Sequence, residues 1–236
     1  MSYNVHGCIN NAGRYAATPI LRLIERSQAD VVALQEVYED RLPGRDFLQR
    51  LETLPYPHIH YGVTFEHDER GKYGNLLLSK WPLAEIEEID LGIPHREPRA
   101  AIRALVEHPR QTLDVVATHL GLGRAERALQ LAKLVAQWEL SRAKQPEAIR
   151  VLMGDLNEWL PHSAFLQALQ GLFSLPQARL TFPSVNPTLG LDRILVRPSR
   201  LLRSLAPIDT PASRHASDHL PLLAELSLGR SLQPLV

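Results

Sequence analysis

Four carboxylates and two histidines in this chain stand where apolar runs stop, and that placement is its first chemical signal. Glu36 follows Val31-Val32-Ala33-Leu34 with only Gln35 between. Asp155 follows Val151-Leu152-Met153-Gly154, with Asn157 two residues on. Asp192 stands immediately before Arg193–Val196, Ser217-Asp218-His219 leads into Leu220-Pro221-Leu222, and His119 ends the run Val115–Thr118. Hard divalent cations such as Mg²⁺ take carboxylate oxygens and keep several waters. Histidine exchanges a proton near neutral pH or, when charged, donates to a phosphate oxygen. Alone, each of these residues reads as readily as a solvated loop position or a structural histidine. Together they are expected to converge on one site, because loops at strand ends are where a rigid scaffold holds reactive groups.

The elements that must position them follow from periodicity. Thr18–Ala29 places Ile20, Leu23 and Ile24 on one helical face, with Thr18 as its cap and Pro19 in the first turn. Strands are expected at Val31–Leu34, Leu76–Leu78, Ala100–Val106, Leu113–Thr118, Ile149–Met153, Arg193–Val196 and Leu222–Leu226. Phe47, Leu48, Leu51 and Leu54 repeat at helical spacing as far as Pro55. Arg124–Arg142 is the longest helix expected, with Leu131, Leu134, Val135 and Trp138 on its apolar side, and a short helix follows around Ser163–Leu169. Strands outnumber the helices that fall between them, a pattern that suits two packed sheets with helices outside. With no internal repeat or low-complexity linker, one domain over residues 1–236 is the economical reading.

Composition narrows the class. At 236 residues with 44% hydrophobic and 22% charged residues, the chain can bury a substantial core. Lys+Arg 26 balances Asp+Glu 26, whereas a dedicated duplex binder carries a cationic surplus. The one cysteine, Cys8, excludes an intrachain disulfide and a thiolate zinc cluster, and reads as a small buried hydrophobe in a reducing compartment. No stretch reaches bilayer length and no signal peptide opens the chain, so a cytoplasmic location is expected. Tyr3–Val5 reads as the end of a strand, a position that also fits a natural start upstream of Met1.

Seven short pieces then occur in a telling order: Ser2-Tyr3-Asn4-Val5-His6, Leu34-Gln35-Glu36-Val37, Gly74-Asn75, Ala117-Thr118-His119-Leu120, Gly154-Asp155-Leu156-Asn157, Leu191-Asp192-Arg193-Ile194 and Ser217-Asp218-His219-Leu220-Pro221. The ordered set resembles the endonuclease/exonuclease/phosphatase superfamily, whose fold is shared by deoxyribonuclease I, abasic-site endonucleases, neutral sphingomyelinases and inositol polyphosphate 5-phosphatases. The look is nearest to small bacterial metal-dependent phosphohydrolases. The resemblance implies an α/β fold, a four-layer α/β/β/α sandwich with two packed, mostly antiparallel sheets. It implies Glu36, Asp218 and Asn4 at a site for Mg²⁺, with Mn²⁺ as substitute. It places Asp155 and Asn157 around the attacking water and scissile phosphate, His219 beside the phosphoryl group with Asp192 orienting it, and His119 as a donor to phosphate or leaving group.

The implied reaction is hydrolysis of a phosphodiester by water attack on phosphorus, most simply nuclease-type on DNA or RNA. The alternative is a phospholipid, as in sphingomyelinases, or a small-molecule phosphoester. No aromatic-and-basic track supports a long single-strand footprint. Trp159-Leu160-Pro161-His162 is a weak interfacial loop, read more plainly as local packing. Arg99, just before a strand, can reach a phosphate as a forked donor. Arg124 and Arg127 open the long helix where substrate could approach, although surface solvation is the plainer reading there. Asn75 is a further substrate contact or else a turn residue. No obligate protein partner is evident. A catalytically dead module would have lost one of these polar groups, and a zinc hydrolase would show a short His/Cys ligand pair.

Overall fold

Apolar runs buried on both faces and mixed runs at the edges become eleven strands among the described residues. The computed structural model describes residues 1–142 and 145–228, so the domain expected over 1–236 runs past them at 143–144 and 229–236. The strands are β1 (Ser2–Asn4), β2 (Val31–Tyr38), β3 (His58–His67), β4 (Gly71–Ser79), β5 (Leu83–Asp90), β6 (Ala100–Val106), β7 (Leu113–His119), β8 (Ile149–Asp155), β9 (Asp192–Arg197), β10 (Leu202–Pro207) and β11 (Leu222–Leu226). The helices are α1 (Ala17–Ser27), α2 (Phe47–Leu51), α3 (Arg124–Arg142), α4 (Ala164–Gln170) and α5 (Pro211–Ala216). One sheet runs β10-β11-β1-β2-β4-β3 and the other β5-β6-β7-β8-β9. Each holds one parallel pair, β1 with β2 and β7 with β8, in an otherwise antiparallel ladder.

Side-chain alternation explains the layers. Ala33 of β2 and Val115 and Ala117 of β7 point into the core between the sheets, with Leu77, Ile102, Val151 and Ile194. Their neighbours Val32 and Leu34 face outward onto Ile20 and Ile24 of α1. Val116 and Leu152 face outward onto Leu131, Leu134 and Trp138 of α3. Four layers result, helix, sheet, sheet and helix. No described helix is long and apolar enough to cross a membrane.

Two local expectations need correction. Thr18 does not cap α1, which starts at Ala17; Thr18 lies in the first turn, where its Oγ1 accepts from Arg50 Nη2 at 2.9 Å. Arg127 is not solvated. It is wholly buried and donates to Glu158, because the chain before α3 folds back over it.

Candidate active site

Register does the first part of the assembly. In the five-stranded sheet His119 pairs with Asp155, and Asp155 with Asp192, so β7, β8 and β9 present three polar side chains in one row at one sheet end. Gly154 makes that row possible. Its φ is +148°, and a Cβ there would strike the Thr118 carbonyl oxygen of the neighbouring strand. In the six-stranded sheet β1 runs parallel to β2, which brings Asn4 level with Gln35. The pairing of β2 with β4 then slips by one residue between Leu34 and Val37, and Glu36 takes φ +57°. This bulge turns the Glu36 carboxylate out of the ladder and toward the site.

Asn4 ties the halves together. Wholly buried, it donates through Nδ2 to Glu36 Oε1 at 2.8 Å and to Asp155 Oδ2 at 3.1 Å, and its Oδ1 accepts from the His6 backbone N–H at 3.0 Å. Asn4 thus stands behind the carboxylates and orients them. His6 closes the front, with Nδ1 at 3.5 Å from Glu36 Oε2 and 3.6 Å from Asp218 Oδ2. Burial works against ionisation of Glu36, but the His6 hydrogen bond, the nearby His119 and the Asn4 hydrogen bond together outweigh it and hold the group at about 2.

The two motif histidines are held in opposite states. His219 Nδ1 lies 2.8 Å from Asp192 Oδ2, which also accepts from the Thr181 hydroxyl, and its Nε2 lies 3.5 Å from Asp155 Oδ2. Burial disfavours the imidazolium, yet the charges of Asp192 and Asp155 overcome it and raise His219 to about 10. Burial, with Arg99 nearby, instead lowers His119 to about 3. The geometry agrees: Asn157 Nδ2 donates to the Leu120 carbonyl at 2.8 Å, which fixes the amide, and the same nitrogen faces His119 Nε2 at 3.2 Å. With the amide so oriented, His119 Nε2 faces it as an acceptor. Burial pushes Asp155 up to about 6, with the His219 charge pulling the other way.

Glu36, His119, Asp155, Asn157, Asp218 and His219 border an open cleft of about 520 Å³, together with His6, Tyr38, Tyr73, Glu97, Arg99, Leu122, Trp159 and Phe182, while Asn4 and Asp192 are buried behind it. Arg99 is there, paired with Glu97 at 2.8 Å. Asn75 and Arg124 are not among the lining residues. Asn75 is buried on β4 and donates to the Ala100 carbonyl at 2.9 Å, and Arg124 is exposed at the start of α3. A larger cavity, about 660 Å³, opens at the other ends of the strands beside Trp81, His108 and Leu113 and holds none of the candidate site residues.

Sequence reasoning missed His6, Thr181, Ser184 and Asn11. Ser184 donates to the Ser217 carbonyl at 2.6 Å, and Asn11 donates to the Ser184 hydroxyl, to Arg214 O and to Ser217 O, so both brace the Asp218–His219 loop. His6 had a signal, its place two residues after Asn4. The others act through loop packing, which leaves no periodic mark.

A divalent cation fits on the Glu36–Asp218 side. Both side chains are partly exposed, 25% and 30%, and both aim an oxygen at one nitrogen, His6 Nδ1. Asp155, Asp192 and His219 also bring ligand atoms within 4.8 Å of one another. However, an imidazolium committed to Asp192 has no lone pair for a metal. Half-open carboxylate oxygen is the donor set a hydrated Mg²⁺ prefers.

A family model described as the Endonuclease/Exonuclease/phosphatase family matches residues 1–219. "Uncharacterized protein YbhP" of Escherichia coli (strain K12) is 32% identical over 248 residues, covering 97% of this chain and 95% of that one. The mannosyl-6-phosphatase of Bacteroides thetaiotaomicron VPI-5482 superposes with a TM-score of 0.72 at 18% identity, over 96% of this chain and 98% of that one. TDP2 of D. rerio, solved with a single strand DNA product, gives 0.67 at 20% identity, over 96% and 97%. The two structural likenesses speak to the fold alone.

Proposed function

The chain belongs to the endonuclease/exonuclease/phosphatase family, and from that premise we propose that it is a Mg²⁺-dependent hydrolase that directs a water onto the phosphorus of a phosphodiester. The observation that carries this reading is His219 held between Asp192 and Asp155, with Asn4 joining that Asp155 to Glu36.

Glu36 and Asp218 would hold the cation, with Asn4 fixing Glu36 and Asp155 from behind. The cation, when bound, supplies polarisation of the phosphate and relief of charge on the departing oxygen. Asp155, at about 6, is ionised near neutral pH and orients the attacking water or takes its proton. The His219 imidazolium donates to a nonbridging oxygen as charge builds there, with no reorganisation because Asp192 already fixes the ring. Asn157, locked by Leu120, and neutral His119 flank the same carboxylate. Arg99 offers a forked donor at the cleft wall.

The residue set points first to a nuclease-type substrate, and one protein of this fold was solved with single strand DNA product. A phospholipid or small-molecule phosphoester is the second reading, supported by the sugar phosphatase of the same fold. The test is a panel of oligonucleotide, phospholipid and small phosphodiester substrates with Mg²⁺, Mn²⁺ or EDTA. Turnover of at least one class is expected only with metal, and Glu36→Gln should weaken Mn²⁺ binding measured by calorimetry. Full turnover after verified metal removal would defeat the proposal.

A further inference from the structure

An exposed indole in a cleft is ordinarily mobile, but Trp159 is clamped. It is 43% exposed, while its neighbour Glu158 is buried and accepts through its two carboxylate oxygens from Leu160 N at 2.9 Å and from Arg127 Nη2 at 3.2 Å. The Glu158 carbonyl accepts from Arg193 at 3.4 Å. The Arg127 guanidinium lies 5.4 Å from the Trp159 ring centroid. Its Nη1 also reaches back to the Gly121 and Leu122 carbonyls at 3.3 and 2.6 Å. One buried ion pair thereby fixes two cleft-lining residues, Trp159 and the 68% exposed Leu122, on the wall shared with His119, Asp155 and His219. Burying such a pair is costly, and packing gains nothing from an indole left half in water. A rigid shelf for a ligand is what it produces.

Charge decides what kind of ligand. Among the residues lining this cleft Arg99 is the one arginine or lysine, with its Nη1 on Glu97, while Arg127 and Arg70 stand behind the wall, paired with Glu158 and Asp40. A phosphate backbone needs unpaired cations along its path. This wall instead offers an aromatic face and an aliphatic one. We infer that the cleft grips one phosphate and the one ring joined to it, the ring's flat face lying on Trp159, and no longer stretch of a strand. The inference rests on the phosphoester reading of the site and specifies its substrate class.

The test measures binding without turnover. Metal-loaded protein is titrated with inorganic phosphate, methyl phosphate, phenyl phosphate and glucose 6-phosphate, using calorimetry and tryptophan fluorescence. At least one ring compound should bind about tenfold more tightly than methyl phosphate, inside the roughly 5- to 150-fold range that stacking on an aromatic side chain carries. The better ring identifies whether the face is aromatic or that of a sugar. Trp159→Ala should erase the gain, Trp159→Phe should keep most of it, and both should leave inorganic phosphate binding unchanged. Equal affinity of both ring compounds and methyl phosphate, or a gain that survives Trp159→Ala, overturns the shelf alone. Failure of wild-type protein to bind inorganic phosphate overturns the phosphoester reading and the shelf with it.

Discussion

His219 and His119 face the same carboxylate oxygen, Asp155 Oδ2, at 3.5 and 3.7 Å, and are held in opposite charge states. The cause is their second partners. Asp192 supplies His219 with a counter-charge, whereas Asn157 supplies His119 with a hydrogen atom that only a neutral ring accepts. The linkage signs therefore differ. Raised to about 10, His219 contributes stability that is complete below its unfolded value near 6.5 and is lost as pH climbs through 10. Lowered to about 3, His119 contributes stability present above 6.5 and lost as pH falls toward 3. Imidazole NMR titration of the metal-free protein should show His219 charged through pH 8 and His119 neutral down to pH 5. Two rings titrating together near 6.5 would contradict this. The sequence marks both histidines through the apolar runs beside them, but their charge states depend on Leu120 O, Thr181 and Asp192, contacts that no local pattern encodes.

Elements show which parts of the fold local pattern can reveal. Interior strands such as β7 and β8, buried on both faces, read as continuous apolar runs and were legible. β3, β5 and β10 were not, because they are edge strands with mixed, partly exposed sequences, unlike the edge strand β9, which is buried along most of its length. Leu83–Asp90 carries four acidic residues, and His58–His67 carries three histidines, polar content that keeps an edge from pairing with another molecule. α5 is a six-residue helix set by the Thr210–Ser213 capping box, too short to show a period. The Glu36 bulge was also hidden, since it depends on the register with β4. Beneath α3, wholly buried Arg103 donates to Asp114 Oδ1 at 2.8 Å, and Trp138 Nε1 donates to Asp114 Oδ2 at 2.7 Å. Asp114→Ala should therefore cost roughly 3–5 kcal/mol in urea unfolding, the range for removing one partner of a buried ion pair. Turnover at low temperature should stay near wild type, because this network lies under α3 and not in the cleft. A loss below about 1 kcal/mol would show that Glu87, 3.2 Å from Arg103, suffices alone.

Across the whole molecule, neither sheet carries a complete site. Asn4, Glu36, Asp218 and His219 come from the six-stranded half, and His119, Asp155, Asn157 and Asp192 from the five-stranded half. The Asn4–Asp155 and His219–Asp192 hydrogen bonds join them across the packed core. This explains why widely spaced motifs in one order were a sound guide to the family while each alone was weak. It also explains why Asn75 and Arg124, chosen from local position, lie outside the cleft. The proposed hydrolysis sets the His219 imidazolium beside the phosphoryl group. The most direct measurement is single-turnover hydrolysis by His219→Ala on a verified substrate with saturating Mg²⁺, beside circular dichroism and Mn²⁺ binding. A folded, metal-binding variant slowed by about 10² to 10⁴ is expected, with Asp192→Asn showing a smaller loss. Near-normal turnover by folded, metal-loaded His219→Ala would contradict it.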